Sequence, residues 1–260
     1  MPENLVKRDF TIWNKVGFNT GSMSELMDKL LTLPTQPYSA YVCLVGVPAL
    51  VAAQDNSSLA DVFSNATLTV ADGMPIVRRA QKLGLQCDRF SGPDFMYPFF
   101  DICLPKEKRH FFYGCTDEVL VSLKSNLKKD YPGIQICGTY APPYRELTPE
   151  EDEDIVRLIQ NANPDFLWVG LGGEKQERWM AAHYKRISGC VMLGVGAGFN
   201  YIAGTLTEMP DWMEKRSLGW LFRLIQEPKR LWRRYIISGL KYIFYNVVFS
   251  FRNNTKDRVV

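Results

Sequence analysis

The sequence predicts an α/β fold, in which helices cover a parallel sheet, and three observations support this prediction. Short apolar runs alternate with helix-like stretches as far as about residue 200. The apolar runs end in glycine or turn residues, which is typical of strands buried on both faces. After Gly204 the chain becomes basic and aromatic, which indicates a C-terminal segment of different character.

Six strands and six helices are predicted in alternation. The strands span residues 41–47, 67–70, 110–114, 134–139, 166–171 and 191–195. The helices span residues 23–31, 49–63, 74–83, 118–130, 150–161 and 175–186. One helix start is well marked, with Thr148 as N-cap, Pro149 at the first helical position and Glu151 at the third. Such an alternation places ligands at the carboxyl ends of the strands.

The chain length fits one α/β domain, predicted at residues 1–209, and a small appendage at residues 210–260. Apolar residues make up 46% of the chain and charged residues 23%, as in an ordinary globular protein. Six cysteines are scattered singly, which favours a reducing compartment over a disulfide framework. The first ten residues carry charges where a signal peptide needs an apolar stretch, so we expect a cytoplasmic protein.

The C-terminal segment combines positive charge with aromatic residues. Residues 211–260 hold eleven Lys and Arg against four acids, a net charge of +7 in a chain whose total is +3. Pro228 predicts two helices or a sharp kink. The apolar stretch 235–251 is too short, and with Lys241 and Asn246 too polar, to cross a bilayer. We expect it to lie on an anionic membrane surface rather than to bind nucleic acid, the alternative being that it packs onto the domain.

Asp72 is the first candidate for chemistry. It follows a predicted strand and precedes Gly73, so it stands at a strand end beside a turn. The alternative is that Asp72 caps the helix that begins near Met74. Arg89, a little further along, either holds a phosphate or pairs with an acid.

Two glycine-rich turns follow predicted strands. In the first, Gly172 and Gly173 open a helix whose Gln176 and Glu177 would face a pocket. Backbone amides and the helix dipole at such a turn bind diphosphate, although a tight connection without a ligand has the same sequence. The second turn contains Gly196 and Gly198, with Asn200 following, and it breaks the dinucleotide fingerprint because Phe199 replaces the third glycine. A site for NAD or ATP is therefore disfavoured, but we expect the backbone of this turn to approach a phosphate closely.

Arginines cluster around Pro228. Arg223, Arg230 and Arg234 would share one helical face, and Arg233 lies on an adjoining face. Guanidinium groups bind diphosphate in a bidentate manner, but a charge run is more often a solvated face.

Other chemistries lack their motifs. Only two histidines occur, His110 and His183, without HxxxH or HExxH, and no GxSxG is present, so catalytic zinc and a Ser-His-Asp triad are disfavoured. Residues 152–154 formally read as DxD, the metal-binding pair of many nucleotide-sugar enzymes. We interpret them as a solvated face in the first turns of a helix.

Taken together, five ordered segments resemble the WecG/TagA/CpsF family of glycosyltransferases over roughly residues 10–240. They are residues 71–75 (ADGMP), 89–94 (RFSGPD), 169–179 (VGLGGEKQERW), 194–204 (GVGAGFNYIAG) and 223–234 (RLIQEPKRLWRR). The resemblance implies a Rossmann-like sheet with helices on both faces, followed by a C-terminal helical appendage that docks on membrane and completes the active site.

The resemblance also implies a reaction. It is a metal-independent, inverting transfer from a UDP-sugar to an undecaprenyl-diphosphate-linked saccharide, without a cofactor, at the inner face of the cell membrane. Asp72 falls on the family's proposed general base, and Arg89 and Gln176 match positions implicated in the pocket. Arg223, Arg230 and Arg233 fall on the appendage arginines thought to reach the UDP diphosphate. A homo-oligomer is compatible with the sequence.

Two departures from the family pattern bear on which sugar is used. A Thr-x-Asn segment found in many members is Leu44-Val45-Gly46 here, and Glu174 replaces the proline of a Gly-x-Pro-Lys-Gln-Glu segment. Two other functions stay open at this stage: a nicotinamide-dependent oxidoreductase, on the strength of the sheet and glycine turns, and a non-catalytic scaffold on the membrane.

Overall fold

The computed structural model describes residues 7–33, 35–207, 209–210, 212–213, 216, 218–251 and 258–259. It confirms the predicted α/β fold. A six-stranded, wholly parallel sheet has the order β4-β3-β8-β7-β5-β6. Its strands are β3 Ala40–Val45, β4 Leu68–Ala71, β5 Arg109–Gly114, β6 Gln135–Tyr140, β7 Phe166–Gly170 and β8 Val191–Gly194. All six coincide with predicted strands.

A second, small sheet was not predicted. The hairpin of β1 (Phe10–Ile12) and β2 (Val16–Phe18) pairs with β9 (Arg258–Val259), so that β1 lies in the middle. Strands of two or three residues are too short to show a periodicity in sequence. At the tip of the hairpin, Trp13 and Asn14 both have positive φ angles.

Nine helices of the described domain alternate with or follow these strands. They are α1 Met23–Thr32, α2 Val47–Asp55, α3 Ser57–Asn65, α4 Met74–Lys82, α5 Gly92–Cys103, α6 Asp117–Asp130, α7 Pro149–Ala162, α8 Glu174–His183 and α9 Gly198–Ile202. The helix predicted at 49–63 is two helices, because the Asn56 side chain accepts from the backbone of Ser58 and caps α3. Helices α5 and α9 were not predicted, and α5 contains Pro98 in its interior.

Each face of the sheet carries its own apolar core. Alternate residues of β3 divide between them: Tyr41, Cys43 and Val45 pack with the hairpin and with α2, α3, α4, α7 and α8. Ala40, Val42 and Leu44 pack on the other side with α1, α5, α6 and α9. Strands covered on both faces need apolar side chains at successive positions, which is why their sequences read as unbroken apolar runs.

Two tail helices follow the domain, and they meet at Pro228 as predicted. We call Gly219–Gln226 the short tail helix and Pro228–Phe251 the long tail helix. The long tail helix packs along α2. In the described part of the chain, no helix combines the length and apolar character needed to cross a membrane.

One face of the long tail helix is docked and another is open. Trp13 lies with its ring centroid 5.5 Å from that of Tyr242, 5.2 Å from Tyr245 and 6.1 Å from Phe249. The Trp13 Nε1 also donates to Asn246 at 3.2 Å. The opposite stripe is apolar and 49–64% exposed, and consists of Ile236, Leu240, Ile243, Phe244 and Val247. Packing on the domain and exposure of apolar side chains therefore coexist in this helix.

Candidate functional site

The parallel register brings the ends of four strands to one edge of the sheet. Val45 of β3 pairs with Ala71 of β4, and Gly194 of β8 pairs with Val169 of β7. The residues that follow these strands therefore lie side by side, which is where ligands bind in open parallel sheets. We call this edge the carboxyl edge.

Asp72 lies at the carboxyl edge, directly after β4. Its backbone N–H donates to the Val45 carbonyl at 3.0 Å. The N-cap of α4 is Gly73, without a side-chain hydrogen bond, so the alternative that Asp72 caps this helix is wrong. Among the described residues no side chain or backbone group hydrogen-bonds to the Asp72 carboxylate. Burial raises the pKa of Asp72 to about 6.

Charged side chains from three parts of the chain act on Asp72. Arg89, Arg223 and Arg234 lower its pKa against the effect of burial, and Asp94 raises it. Arg89 forms an ion pair with Asp94 of α5, with Nη2 2.5 Å from Oδ2. The start of the short tail helix lies against the same arginine, because a Cβ built on Gly219 would be 3.6 Å from Arg89 Nη1. Arg89 thus pairs with an acid and also faces the tail.

Gln176 and Glu177 lie beneath this edge and are nearly inaccessible, at 5% and 3% exposure. The Gln176 Oε1 accepts from Gly196 N–H at 3.0 Å, and its Nε2 donates to Glu177 Oε1 at 3.0 Å. The other oxygen, Glu177 Oε2, is buried and has no hydrogen-bond partner among the residues that the structure describes. Burial raises the pKa of Glu177 to about 7, and Arg234 counteracts this rise.

The turn between β7 and α8 combines glycine geometry with a cation. Gly172 and Gly173 have φ angles of +73° and +55°, which an L side chain rarely adopts. A Cβ on Gly173 would lie 3.7 Å from Arg234 Nη1, so this guanidinium sits against the turn. The start of α8 and Arg234 together form a positively polarised corner next to Asp72.

In the turn after β8, the backbone amides donate to acceptors within the protein. Gly196 N–H is held by Gln176, and Gly198 N–H donates to the Val195 carbonyl at 3.0 Å. A Cβ on Gly198 would lie 2.6 Å from Met96 Sδ, so this glycine permits close packing on α5. The Asn200 Oδ1, within α9, accepts from Thr205 Oγ1 at 3.1 Å. The amides of Gly196 and Gly198, expected to face a phosphate, thus already have intramolecular acceptors.

Glu227 holds two of the tail arginines. Its carboxylate accepts from Arg223 Nη2 at 3.0 Å and lies 2.9 Å from Arg230 Nη1. Arg223 is half-buried, and within the described part of the chain its buried Nε has no hydrogen-bond partner. Arg230 is mostly exposed and acts on the pKa of Cys115 at the end of β5. Both arginines therefore reach the carboxyl edge, Arg223 near the end of β4 at Asp72 and Arg230 near the end of β5 at Cys115.

Arg233 points elsewhere. Its guanidinium lies over the Trp232 ring, 5.3 Å from the centroid, on the exposed side of the long tail helix. The neighbouring Arg234 is, with Arg223, one of the two tail arginines that act on Asp72. Sequence spacing already put Arg234 on the face of Arg223 and Arg230, and the resemblance then favoured Arg233.

Three residues of the site were not predicted: Asp94, Tyr201 and Glu227. Burial raises the pKa of Tyr201 in α9, and Arg223 and Glu227 both act on this pKa. Glu227 carried a local signal, since it lies four residues after Arg223 and three before Arg230. Tyr201 and Asp94 carried none, because only the tertiary fold brings Asp94 near Asp72 and Tyr201 near Arg223.

Groups expected of a metal site are engaged otherwise. Within the described residues, His, Cys, Asp and Glu form no cluster of three or more able to hold a metal ion. Asp152 pairs with His183 and Arg186, Glu153 with Arg186, and Asp154 with Arg157. A shallow depression beside Glu107 lies at the amino ends of β5 and β6, far from the carboxyl edge.

Comparison with known proteins places the chain among glycosyltransferases. A family model described as "Glycosyl transferase WecG/TagA/CpsF family" matches residues 11–257. Three similar proteins are each named N-acetylglucosaminyldiphosphoundecaprenol N-acetyl-beta-D-mannosaminyltransferase. The one from Bacillus subtilis (strain 168) is 29% identical over 80% of this chain and 78% of its own. Those from Staphylococcus aureus (strain MW2) and Bacillus spizizenii are 27% and 26% identical, covering 84% and 88% of this chain and 85% and 88% of their own.

Proposed function

Because the chain belongs to the WecG/TagA/CpsF family of glycosyltransferases, we propose that it moves a sugar from a UDP-sugar, with inversion, onto an undecaprenyl-diphosphate-linked saccharide. The named relatives act on a diphosphoundecaprenol-linked sugar, which supports the acceptor class. The observation that carries the mechanism is Asp72, a carboxylate at the carboxyl edge with a raised pKa and cations on one side.

Asp72 is proposed as the general base. It takes the proton of the acceptor hydroxyl while that oxygen forms a bond to the anomeric carbon of the donor. The bond from the anomeric carbon to the UDP oxygen breaks at the same time, on the opposite face, and the configuration inverts. A pKa of about 6 keeps most Asp72 ionised at neutral pH and still makes it a better proton acceptor than an ordinary aspartate.

The leaving UDP gains negative charge as the bond breaks. Arg223 and Arg234 already act on the Asp72 carboxylate, and Arg234 lies against the turn that opens α8. We infer that these two arginines, the amides of that turn and the α8 dipole stabilise the diphosphate. The turn after β8 lines the site but donates no hydrogen bonds from Gly196 and Gly198 to the diphosphate, because Gln176 and Val195 already accept from these amides. This chemistry needs no cofactor.

The tail is proposed to hold the enzyme on an anionic membrane surface at the cytoplasmic face, where a lipid-linked acceptor is accessible. The exposed apolar stripe of the long tail helix supports this assignment, together with the net charge of +7 over residues 211–260. The tail then has two tasks, since it also delivers Arg223 and Arg234 to the carboxyl edge.

The test is UDP release from a panel of UDP-sugars, beginning with UDP-N-acetylhexosamines, with an undecaprenyl-diphosphate-linked sugar as acceptor. Wild-type enzyme is expected to release UDP in an acceptor-dependent manner. Asp72→Asn is expected to lose at least about 100-fold in rate, because a well-placed base contributes about 10²–10⁴-fold. Its affinity for UDP should stay within about threefold. Normal turnover by Asp72→Asn would show that another group is the base.

A further inference from the structure

A residue next to the proposed base Asp72 in space is a glycine, Gly46. Gly46 follows β3, and a Cβ built on it would lie 3.6 Å from Asp72 Oδ2 and 3.8 Å from Pro48 Cδ. These are ordinary van der Waals distances. A side chain at this position would therefore begin in contact with the carboxylate and extend along it.

Neither the backbone nor the packing requires glycine here. Gly46 has φ −94° and ψ 175°, a conformation open to any residue. It is the N-cap of α2 and makes no side-chain capping bond, although Ser, Thr, Asn and Asp are the residues that satisfy this position. Local structure alone would favour one of these polar residues over glycine.

The next helix of the carboxyl edge begins in the same way. Gly73 is the N-cap of α4, also without a side-chain bond, and has φ −110°. A Cβ on Gly73 would lie 3.6 Å from Gly46 Cα and 3.5 Å from Val47 N. The two glycines thus face each other, and both leave the surroundings of Asp72 clear.

We propose that Gly46 is a specificity-determining position, which leaves room beside Asp72 for a ring substituent next to the attacking hydroxyl of the acceptor sugar. The inference rests on the proposed function. An acceptor hydroxyl must come within about 2.6–3.2 Å of the carboxylate, so the ring that carries it occupies the space around Oδ2. A side chain at position 46 would compete with the acceptor ring for this space.

The test is a series of Gly46→Ala, Gly46→Ser and Gly46→Asn, assayed with two lipid-linked acceptors. The first acceptor sugar, the full acceptor, carries its substituents on both carbons next to the one with the attacking hydroxyl. The second, the deoxy analogue, is the same sugar with the substituent on one of these two carbons replaced by hydrogen. With the full acceptor, kcat/KM is expected to fall progressively with side-chain size, by at least about 10-fold for Gly46→Asn, since one methylene in a pocket changes specificity about 10–200-fold. With the deoxy analogue the loss should be at least about threefold smaller. The KM for the donor should stay within about twofold.

Gly84→Asn is the matched control. It adds the same side chain in open space at the far end of α4, at a positive φ that asparagine tolerates. Its kinetics should equal those of the wild type. If Gly46→Asn slows both acceptors equally, or shifts the acid limb of the pH profile, then the side chain acts on Asp72 itself and the specificity proposal is wrong. If the wild type transfers nothing to any lipid acceptor, the proposed function fails instead.

Discussion

Asp72 and Glu177 are both carboxyl groups with raised pKa values, but their surroundings give them different tasks. Asp72 faces Arg89, Arg223, Arg234 and Asp94 at the carboxyl edge. Glu177 is 3% exposed and is hydrogen-bonded through Gln176 to the turn after β8. Of the two, only Asp72 is accessible enough to receive a proton from a substrate, and Glu177 positions Gln176.

The pH dependence of kcat/KM should report the ionisation of Asp72. The base must be deprotonated, so activity is lost as the pH falls through the pKa of about 6 and is regained above it. Arg234→Gln removes a cation that lowers this pKa, so the acid limb should move to higher pH. Asp94→Asn removes an anion that raises it, so the limb should move to lower pH. Initial rates at subsaturating substrate from pH 5 to 8.5 measure both shifts.

Glu177 titrates in the same range, with a pKa of about 7. Glu177→Gln therefore serves as the control for the assignment. It should lower activity through the position of Gln176 yet leave the acid limb where it is in the wild type. An acid limb that disappears in Glu177→Gln would assign the limb to Glu177 and not to Asp72.

Arg233 and Arg234 offer a matched pair of neighbouring arginines. Arg234 lies against the Gly173 turn and acts on Asp72, whereas Arg233 stacks over Trp232 on the exposed side. Arg234→Ala should lower kcat by about 100-fold or more, as when a preorganised donor to a developing anion is removed. The loss for Arg233→Ala should be at least about 30-fold smaller. Steady-state assays in detergent, where membrane contact is not needed, make the comparison, and the reverse order would contradict the geometry.

At the scale of elements, the long tail helix is docked by aromatic packing more than by charge. Trp13 is 2% exposed and contacts three aromatic rings of this helix. Asp55 of α2 pairs with Lys241 at 2.6 Å and with the Tyr245 hydroxyl, but the Lys241 and Asp55 side chains are 47% and 37% exposed. A buried tryptophan is worth several times an exposed ion pair.

Trp13→Ala should therefore lower the free energy of unfolding by about 3–5 kcal/mol, and Asp55→Asn by less than about 1 kcal/mol. Urea unfolding measures both values. Hydrogen exchange in the tail separates local release from general unfolding, because the six-stranded sheet should stay protected in Trp13→Ala while residues 228–251 exchange faster. Equal effects of the two substitutions would show that the docking is electrostatic.

The sequence predicted the elements of the large sheet because each strand is a run of apolar residues between turns. It did not predict α5, because Pro98 in the helix interior argues against a helix that packing nevertheless stabilises. The strand end and the glycine predicted where Asp72 lies but left helix capping as an alternative, and its assignment as the base came from the family resemblance. The contact of Arg234 with the Gly173 turn could not be predicted, since it depends on how the long tail helix is rotated against Trp13, more than 200 residues away.

At the scale of the whole molecule, the open stripe of the long tail helix lies opposite the docked face. Its five apolar residues recur at helical spacing, so they form one continuous surface. Basic residues on the same helix, Lys229, Arg230 and Arg233 among them, lie near its start. Such a surface binds through both apolar insertion and attraction to anionic lipid.

Ile243→Glu should weaken binding to vesicles of anionic phospholipid by at least about 10-fold, because it replaces buried apolar area by a like charge facing the lipid. Val121→Glu is the control, since Val121 is 69% exposed on α6, outside the tail. Vesicle cosedimentation at two salt concentrations measures the change, and UDP affinity should be the same in both variants. Unchanged binding by Ile243→Glu would exclude this stripe as the lipid contact.

The small sheet has a consequence for how the tail arginines are held. β9 pairs with β1, and Trp13 at the tip of the same hairpin packs on the long tail helix, so the chain is anchored in the C-terminal half of this helix and again beyond its end. The short tail helix has no comparable anchorage to the hairpin among the described residues. Arg223 and Arg234, the two tail arginines that act on Asp72, therefore sit on separate helices, and of these two helices the one that carries Arg234 contacts the hairpin.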